Sequence, residues 1–138
     1  MEQNYKYGDL TAQIISACMS VHSSLGSGFQ EVIYQRALEI EFTQRIVPAI
    51  REFTMHIYYR GIEIGTRRVD FFIHNKICLE MKAVAALDGT LLAQALNYLE
   101  SYNIEIGLLV NFGSKSLEFK RLLNKKYKEQ NMNPNQVG

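Results

Sequence analysis

Residues 69–82, Val69-Asp70-Phe71-Phe72-Ile73-His74-Asn75-Lys76-Ile77-Cys78-Leu79-Glu80-Met81-Lys82, set two acids and a lysine inside apolar runs that otherwise have the make-up of buried strands. A charge inside a sheet needs a partner or a metal to offset its loss of water. Written as a hairpin, the run can place Asp70 opposite Glu80, so that Val69 faces Met81, Phe71 faces Leu79 and Ile73 faces Ile77. One face is then wholly apolar, while Asp70, Glu80 and Lys82 share the other with Phe72 and Cys78. A slip of one residue mixes the two surfaces, so burial of one face selects the first register. That register needs an odd loop, such as His74-Asn75-Lys76, or a bulge.

Glu80 and Lys82 are two apart and point to the same side of their strand. Two carboxylates converging there repel by ~4 kcal/mol at about 4 Å and an effective dielectric of about 20. A divalent cation that prefers hard oxygen ligands, Mg²⁺ or Mn²⁺, reverses the sign of that term. A lysine beside the acids can hold a phosphate or help activate a water, as metal-assisted phosphodiester hydrolysis requires. The same residues also suit a plain cross-strand ion pair in which Lys82 neutralises one acid. If the acids do repel, removing Asp70 is expected to leave the fold intact or even steadier.

The elements that must position these groups follow from the patterning. Ile14, Cys18, Val21 and Leu25 predict a helix over 10–25, stopped by Gly26 in a left-handed conformation. A second helix over 30–45 is expected to bury Ile33, Ala37 and Ile40, and Pro48 ends that region. Residues 53–59 and 62–73 predict strands joined by a tight turn at Arg60-Gly61, and 76–82 a third strand. Asp88 caps a helix reaching Tyr102, and the near-continuous apolar run in 105–112 suits a central strand. Ser114 is expected to open a last helix carrying Leu117, Phe119, Leu122 and Leu123. The order α-α-β-β-β-α-β-α describes an α/β (α+β) chain, a mixed sheet flanked by helices, in one domain over 1–129. Residues 130–138 are polar and are expected to form a disordered tail.

The bulk numbers limit the function. With 138 residues, 47% hydrophobic and 21% charged, the chain is a folded domain rather than a disordered one. A formal net charge of +1 supplies no global field for nucleic acid, so any such contact rests on local clusters. Arg67 and Arg68 precede Asp70, and Lys120, Arg121, Lys125, Lys126 and Lys128 crowd the last segment, as a phosphate-tracking stripe or simply a solvated face. Cys18 and Cys78 sit in apolar elements without metal-ligand spacing, as buried thiols of a reducing compartment do. Residues 1–6 lack a charged-then-apolar leader and no apolar run approaches membrane-spanning length, so the expectation is a cytoplasmic protein with no membrane partner.

Two polar pairs sit at helical spacing. Glu31 and Tyr34 share a face, and an acid near a helix N-terminus is also favoured by ~0.3–1 kcal/mol for its own sake. Gln94 and Tyr98 lie one turn apart while Leu92, Leu96 and Leu99 line a different face, so the pair either orients an acid or phosphate or forms an exposed flank.

Gly28-Phe29-Gln30-Glu31-Val32-Ile33-Tyr34 spells G-x-x-E-x-x-Y. Together with Val21-His22, Leu25-Gly26-Ser27-Gly28, Arg68-Val69-Asp70, Leu79-Glu80-Met81-Lys82-Ala83 and Gly107-Leu108-Leu109-Val110-Asn111-Phe112, it makes the chain resemble the GxxExxY protein family over about 10–124. That family is similar to a compact branch of the PD-(D/E)XK nuclease superfamily. The resemblance implies a restriction-endonuclease-like αβββαβ core, here with an extra N-terminal and an extra C-terminal helix. It implies that Asp70 and Glu80 are metal ligands, joined by the main-chain carbonyl of Met81, and that Lys82 is the catalytic lysine. Glu31 would complete the metal shell directly or through water. Gln94-Ala95-Leu96-Asn97-Tyr98 resembles the Q-x-x-x-Y motif of RecB-type nucleases, which places Gln94 with the catalytic residues. Tyr98, Tyr34 and Arg68 are the implied substrate contacts. Val69 stands where the superfamily's namesake dipeptide has proline. The implied activity is a Mg²⁺- or Mn²⁺-dependent nuclease acting on nucleic acid, DNA before RNA, with a homodimer or protein partner supplying specificity. The alternative is a non-catalytic nucleic-acid-binding or protein-interaction module of the same fold.

Overall fold

The computed structural model describes residues 6–129 and 133–136. The described residues form α1 (Gly8–Leu25), α2 (Glu31–Gln44), β1 (Ala49–Tyr59), β2 (Ile62–Ile73), β3 (Ile77–Lys82), α3 (Gly89–Tyr102), β4 (Ile106–Asn111) and β5 (Glu118–Leu123). The five strands make one mixed sheet in the order β1-β2-β3-β4-β5, with β3 and β4 parallel and every other neighbouring pair antiparallel. Helix α3 is the crossover that a parallel pair requires. Helices α1 and α2 cover one face, burying Ile14, Cys18, Tyr34, Leu38 and Phe42 against Phe71, Leu79, Met81 and Leu108. Helix α3 covers the other, where Leu99 and Tyr102 meet Met55, Val69, Phe72 and Cys78. The αβββαβ core and the extra N-terminal helix are therefore present.

Local chemistry explains most boundaries. Asp88 accepts a hydrogen bond from the Leu91 N–H at 2.8 Å and starts α3. Tyr59 pairs with Ile62, and Arg60 and Gly61 between them have φ of 51° and 78°, the two left-handed positions of a type I′ hairpin turn. Ile73 pairs with Ile77, Phe72 with Cys78 and Phe71 with Leu79, so His74-Asn75-Lys76 is the odd loop that the register demands.

Four expectations change. The segment after Ser114 is the edge strand β5, not a helix: the wholly buried β4 needs partners for its second row of backbone groups, and Glu118–Leu123 supplies them from Asn111↔Glu118 to Ile106↔Leu123. Ile40 is 60% exposed, because the inward stripe of α2 is Tyr34, Leu38 and Phe42, with Gln35 beside it. Ile33 and Ala37 are only half-buried. Val69 does not share a face with Phe71 but packs under α3 with Phe72 and Cys78. Residues two apart on a regular strand share a face, so β2 changes faces at Asp70. The β1–β2 ladder skips the same step, passing from Arg51↔Phe71 to Phe53↔Val69 around Glu52, whose φ is 53°.

Within the segment expected to be a disordered tail, residues 133–136 are docked: Asn135 is fully buried and bonds both backbone groups of His56 and the Tyr102 carbonyl, and Asn133 donates to the Asn103 carbonyl at 2.9 Å. Residues 130–132 and 137–138 lie outside the described residues.

Candidate active site

The face change at Asp70 builds the site. Because β2 parts from β3 there, the Asp70 carboxylate replaces a ladder partner, and its Oδ2 accepts the Met81 N–H at 2.7 Å. Oδ1 accepts the side-chain amide of Gln35 at 2.9 Å, and Gln35 in turn accepts from Arg51 at 2.7 Å. Gln35 is buried in α2, so an arginine on β1 orients a carboxylate on β2 through an amide on the helix.

Glu80 points under α3. Its Oε1 accepts Arg67 Nη1 at 2.6 Å, and the same nitrogen donates to the Tyr102 hydroxyl at 2.8 Å. The guanidinium lies 4.0 Å from the centroid of the Tyr98 ring, and Gln94 donates to the Tyr98 hydroxyl at 3.2 Å. Because Asp70 is held at the N–H of Met81, the residue next to Glu80, the two carboxyl groups lie within electrostatic range of each other. Burial pushes the Glu80 carboxyl up to about 7; Arg67 pulls it down, and the Asp70 charge and hydrogen bond add to the rise. Burial opposes the Arg67 charge, yet Glu80 outweighs it and strengthens the hold of Arg67 on its proton. Glu31, in the first turn of α2, is pushed up by partial burial, pulled down by Lys82 and pushed up by Asp70, so all three sit within electrostatic range.

Among the described residues no three or more His, Cys, Asp or Glu side chains gather as a ready metal cage. The Asp70–Glu80 pair nevertheless fits a hard divalent cation: Asp70 is held at the N–H of the residue next to Glu80, and two neighbouring carboxylates, one of them largely shielded from water, are what such an ion stabilises. Met81 can contribute only its main chain, since its side chain is buried in the core under α1 and α2.

The remaining expected residues divide. Gln94 and Tyr98 join the site through Arg67. Tyr34 cannot be a substrate contact: it is fully buried, stacks on Phe112 at 4.8 Å, donates to the Gly26 carbonyl at 2.5 Å and accepts from the Phe29 N–H at 3.2 Å. Those bonds pin the loop that delivers Glu31, which accounts for a glutamate and a tyrosine three apart. Arg68 is 72% exposed, with Glu52 at 3.9 Å, and stays outside the cluster. Sequence reasoning missed Gln35, Arg51 and Tyr102, and named Arg67 only as a phosphate-tracking candidate beside Arg68. A polar residue beside the buried α2 stripe was a signal for Gln35; nothing in the sequence exposed the face change that favours Arg67 over Arg68.

A profile of the PD-(D/E)XK nuclease superfamily matches residues 8–122. No curated protein matches the chain. Among solved structures, the crystal structure of SSO0001 is similar, with a TM-score of 0.51 at 21% identity, over 85% of this chain and 58% of that one. The chain thus spans less than two thirds of that protein, and at such identity the likeness concerns the fold alone. Since the profile runs from the first residue of α1 into β5, the chain belongs to the PD-(D/E)XK nuclease superfamily.

Proposed function

We propose that the protein is a divalent-metal-dependent nuclease that hydrolyses phosphodiester bonds of nucleic acid, DNA before RNA, and that it lies in the GxxExxY branch of the superfamily. The observation that carries this reading is where Asp70 is held as β2 leaves β3: its Oδ2 accepts the N–H of Met81 at 2.7 Å, the residue that lies between Glu80 and Lys82. Asp70, Glu80 and the Met81 main chain, with Glu31 reaching in from α2, would hold Mg²⁺ or Mn²⁺. Once bound, such an ion lowers the pKa of a water and offsets the charge that develops on the scissile phosphate. Lys82 contributes an ammonium that can bind a phosphate oxygen or orient a water. Gln35 and the Met81 N–H hold Asp70 in one rotamer, so no reorganisation is needed when substrate arrives.

With a net charge of +1, substrate affinity rests on few phosphate contacts and falls steeply with salt. Sequence selection then requires a second copy or a protein partner. No helix among the described residues is long and apolar enough to cross a membrane, and both cysteines are free and buried, which supports a reducing, cytoplasmic setting. The second reading, a non-catalytic binding module, draws support from the ion pair that Arg67 already makes with Glu80.

Supercoiled, linear, single-stranded and branched DNA and RNA, incubated with Mn²⁺ or Mg²⁺, test the proposal against an Asp70→Ala/Lys82→Ala variant purified identically. Cleavage by the wild type alone is the expected result. Absence of cleavage on every substrate, with no Mn²⁺-dependent melting shift, would leave only the binding module.

A further inference from the structure

Arg67 occupies the carboxylate that a metal ion would need. Its guanidinium is fixed on three sides, by Glu80 Oε1 at 2.6 Å, the Tyr102 hydroxyl at 2.8 Å and the Tyr98 ring at 4.0 Å. The ion pair is shielded, with side-chain exposures of 29% for Arg67 and 13% for Glu80. Asp70 is held differently, by two neutral donors, the Gln35 amide and the Met81 N–H. A neutral donor can share a carboxylate with a cation, since each oxygen has more than one acceptor site. A guanidinium cannot share it without bringing a full positive charge against the cation, and in a shielded site that repulsion is strong.

We propose that Arg67 is the resident counter-ion of Glu80, which a divalent cation must displace, and that it thereby sets the metal affinity of the site. The proposal rests on the reading of Asp70 and Glu80 as a metal pair. Tyr98 and Tyr102 give the displaced guanidinium a place to stay, through cation–π attraction and one hydrogen bond. The Gln94–Tyr98 pair on α3 is then part of the metal response, because Gln94 fixes the hydroxyl of the ring on which Arg67 rests. Arg67 acts through Glu80 and is a positioning residue.

Calorimetric titration of the full chain with Mn²⁺ at pH 8.5 reads the effect. Arg67→Gln keeps a donor for Tyr102 but no charge, and should bind Mn²⁺ about tenfold or more tightly than wild type. Arg67→Lys, which restores the charge, should return towards wild type, a pattern that a purely structural role does not produce. Equal or weaker binding by Arg67→Gln, with binding by wild type intact, overturns the role of Arg67 and leaves the metal pair standing. No Mn²⁺ binding by wild type or by folded Arg67→Gln overturns both. Should Arg67→Gln fail to fold, phenylglyoxal labelling of wild type, read at Arg67 by mass spectrometry, decides. Labelling that rises as Mn²⁺ saturates supports displacement, and labelling unchanged at saturation refutes it.

Discussion

Replacing Asp70 by alanine sets two structural effects against each other. Repulsion between Asp70 and Glu80 is relieved, which alone would stabilise the metal-free protein. Against this, the Met81 N–H and the buried Gln35 amide lose their acceptor. Hydrogen bonds to a charged group contribute ~1.5–3 kcal/mol each, and a buried donor left without a partner loses at least that. All influences on Glu80 together carry its carboxyl from 4.5 to about 7, worth ~3 kcal/mol, with burial the largest cause and Asp70 behind both burial and Arg67. The relief is therefore a minor share, ~1 kcal/mol, set against ~3–5 kcal/mol lost. Asp70→Ala should unfold ~2–4 kcal/mol more easily than wild type at pH 8 in chelator, contrary to the expectation of an intact or steadier fold. Urea unfolding followed by circular dichroism measures this difference. The pH dependence adds a second reading: the folded pKa of Glu80 lies above its ordinary value, so its contribution is fully present below about 4.5 and lost as pH rises through about 7. That loss should be smaller in Asp70→Ala. A variant as stable as wild type at pH 8 would refute the claim that Asp70 is a structural acceptor as well as an acid.

Tyr34→Phe removes the hydroxyl that bonds Gly26 and Phe29, and should cost ~1–3 kcal/mol in urea unfolding while hydrogen exchange quickens in the loop before α2. Gly113→Ala would drive a Cβ into the backbone of Ala83 and Val84, beside the end of β3, and should lower stability by ~2 kcal/mol or more, read as a fall in melting temperature. Burial pushes the Cys18 thiol up to about 12 and Cys78 well above its ordinary value, so at pH 8 neither should react with iodoacetamide until the protein unfolds. Lys82→Ala should abolish cleavage under the proposed function while Mn²⁺ binding, measured by calorimetry, persists.

Period-two and period-four patterns were legible wherever one element's own chemistry decides its structure. The apolar alternation on either side of His74-Asn75-Lys76 determined the β2–β3 register, because only an odd loop buries Phe71, Ile73, Ile77 and Leu79 together. Asp88 determined where α3 starts, and Arg60-Gly61 where the first hairpin turns, through backbone groups within a few residues of each. The acids and lysine of the candidate site were readable as charges in apolar strands. Tertiary structure decided the rest, because the deciding partners lie far along the chain. The spacing of Leu117, Phe119, Leu122 and Leu123 predicted a helix, and the unmet hydrogen bonds of β4 instead made residues 118–123 the strand β5. Asn135 is ordered by His56, 79 residues away. At Asp70 the strand changes faces to place Val69 and Arg67 under α3, so Arg67 rather than Arg68 reaches Glu80 and Gln35 reaches Asp70. A strand's sequence states which residues alternate, and only its neighbours determine where the alternation breaks.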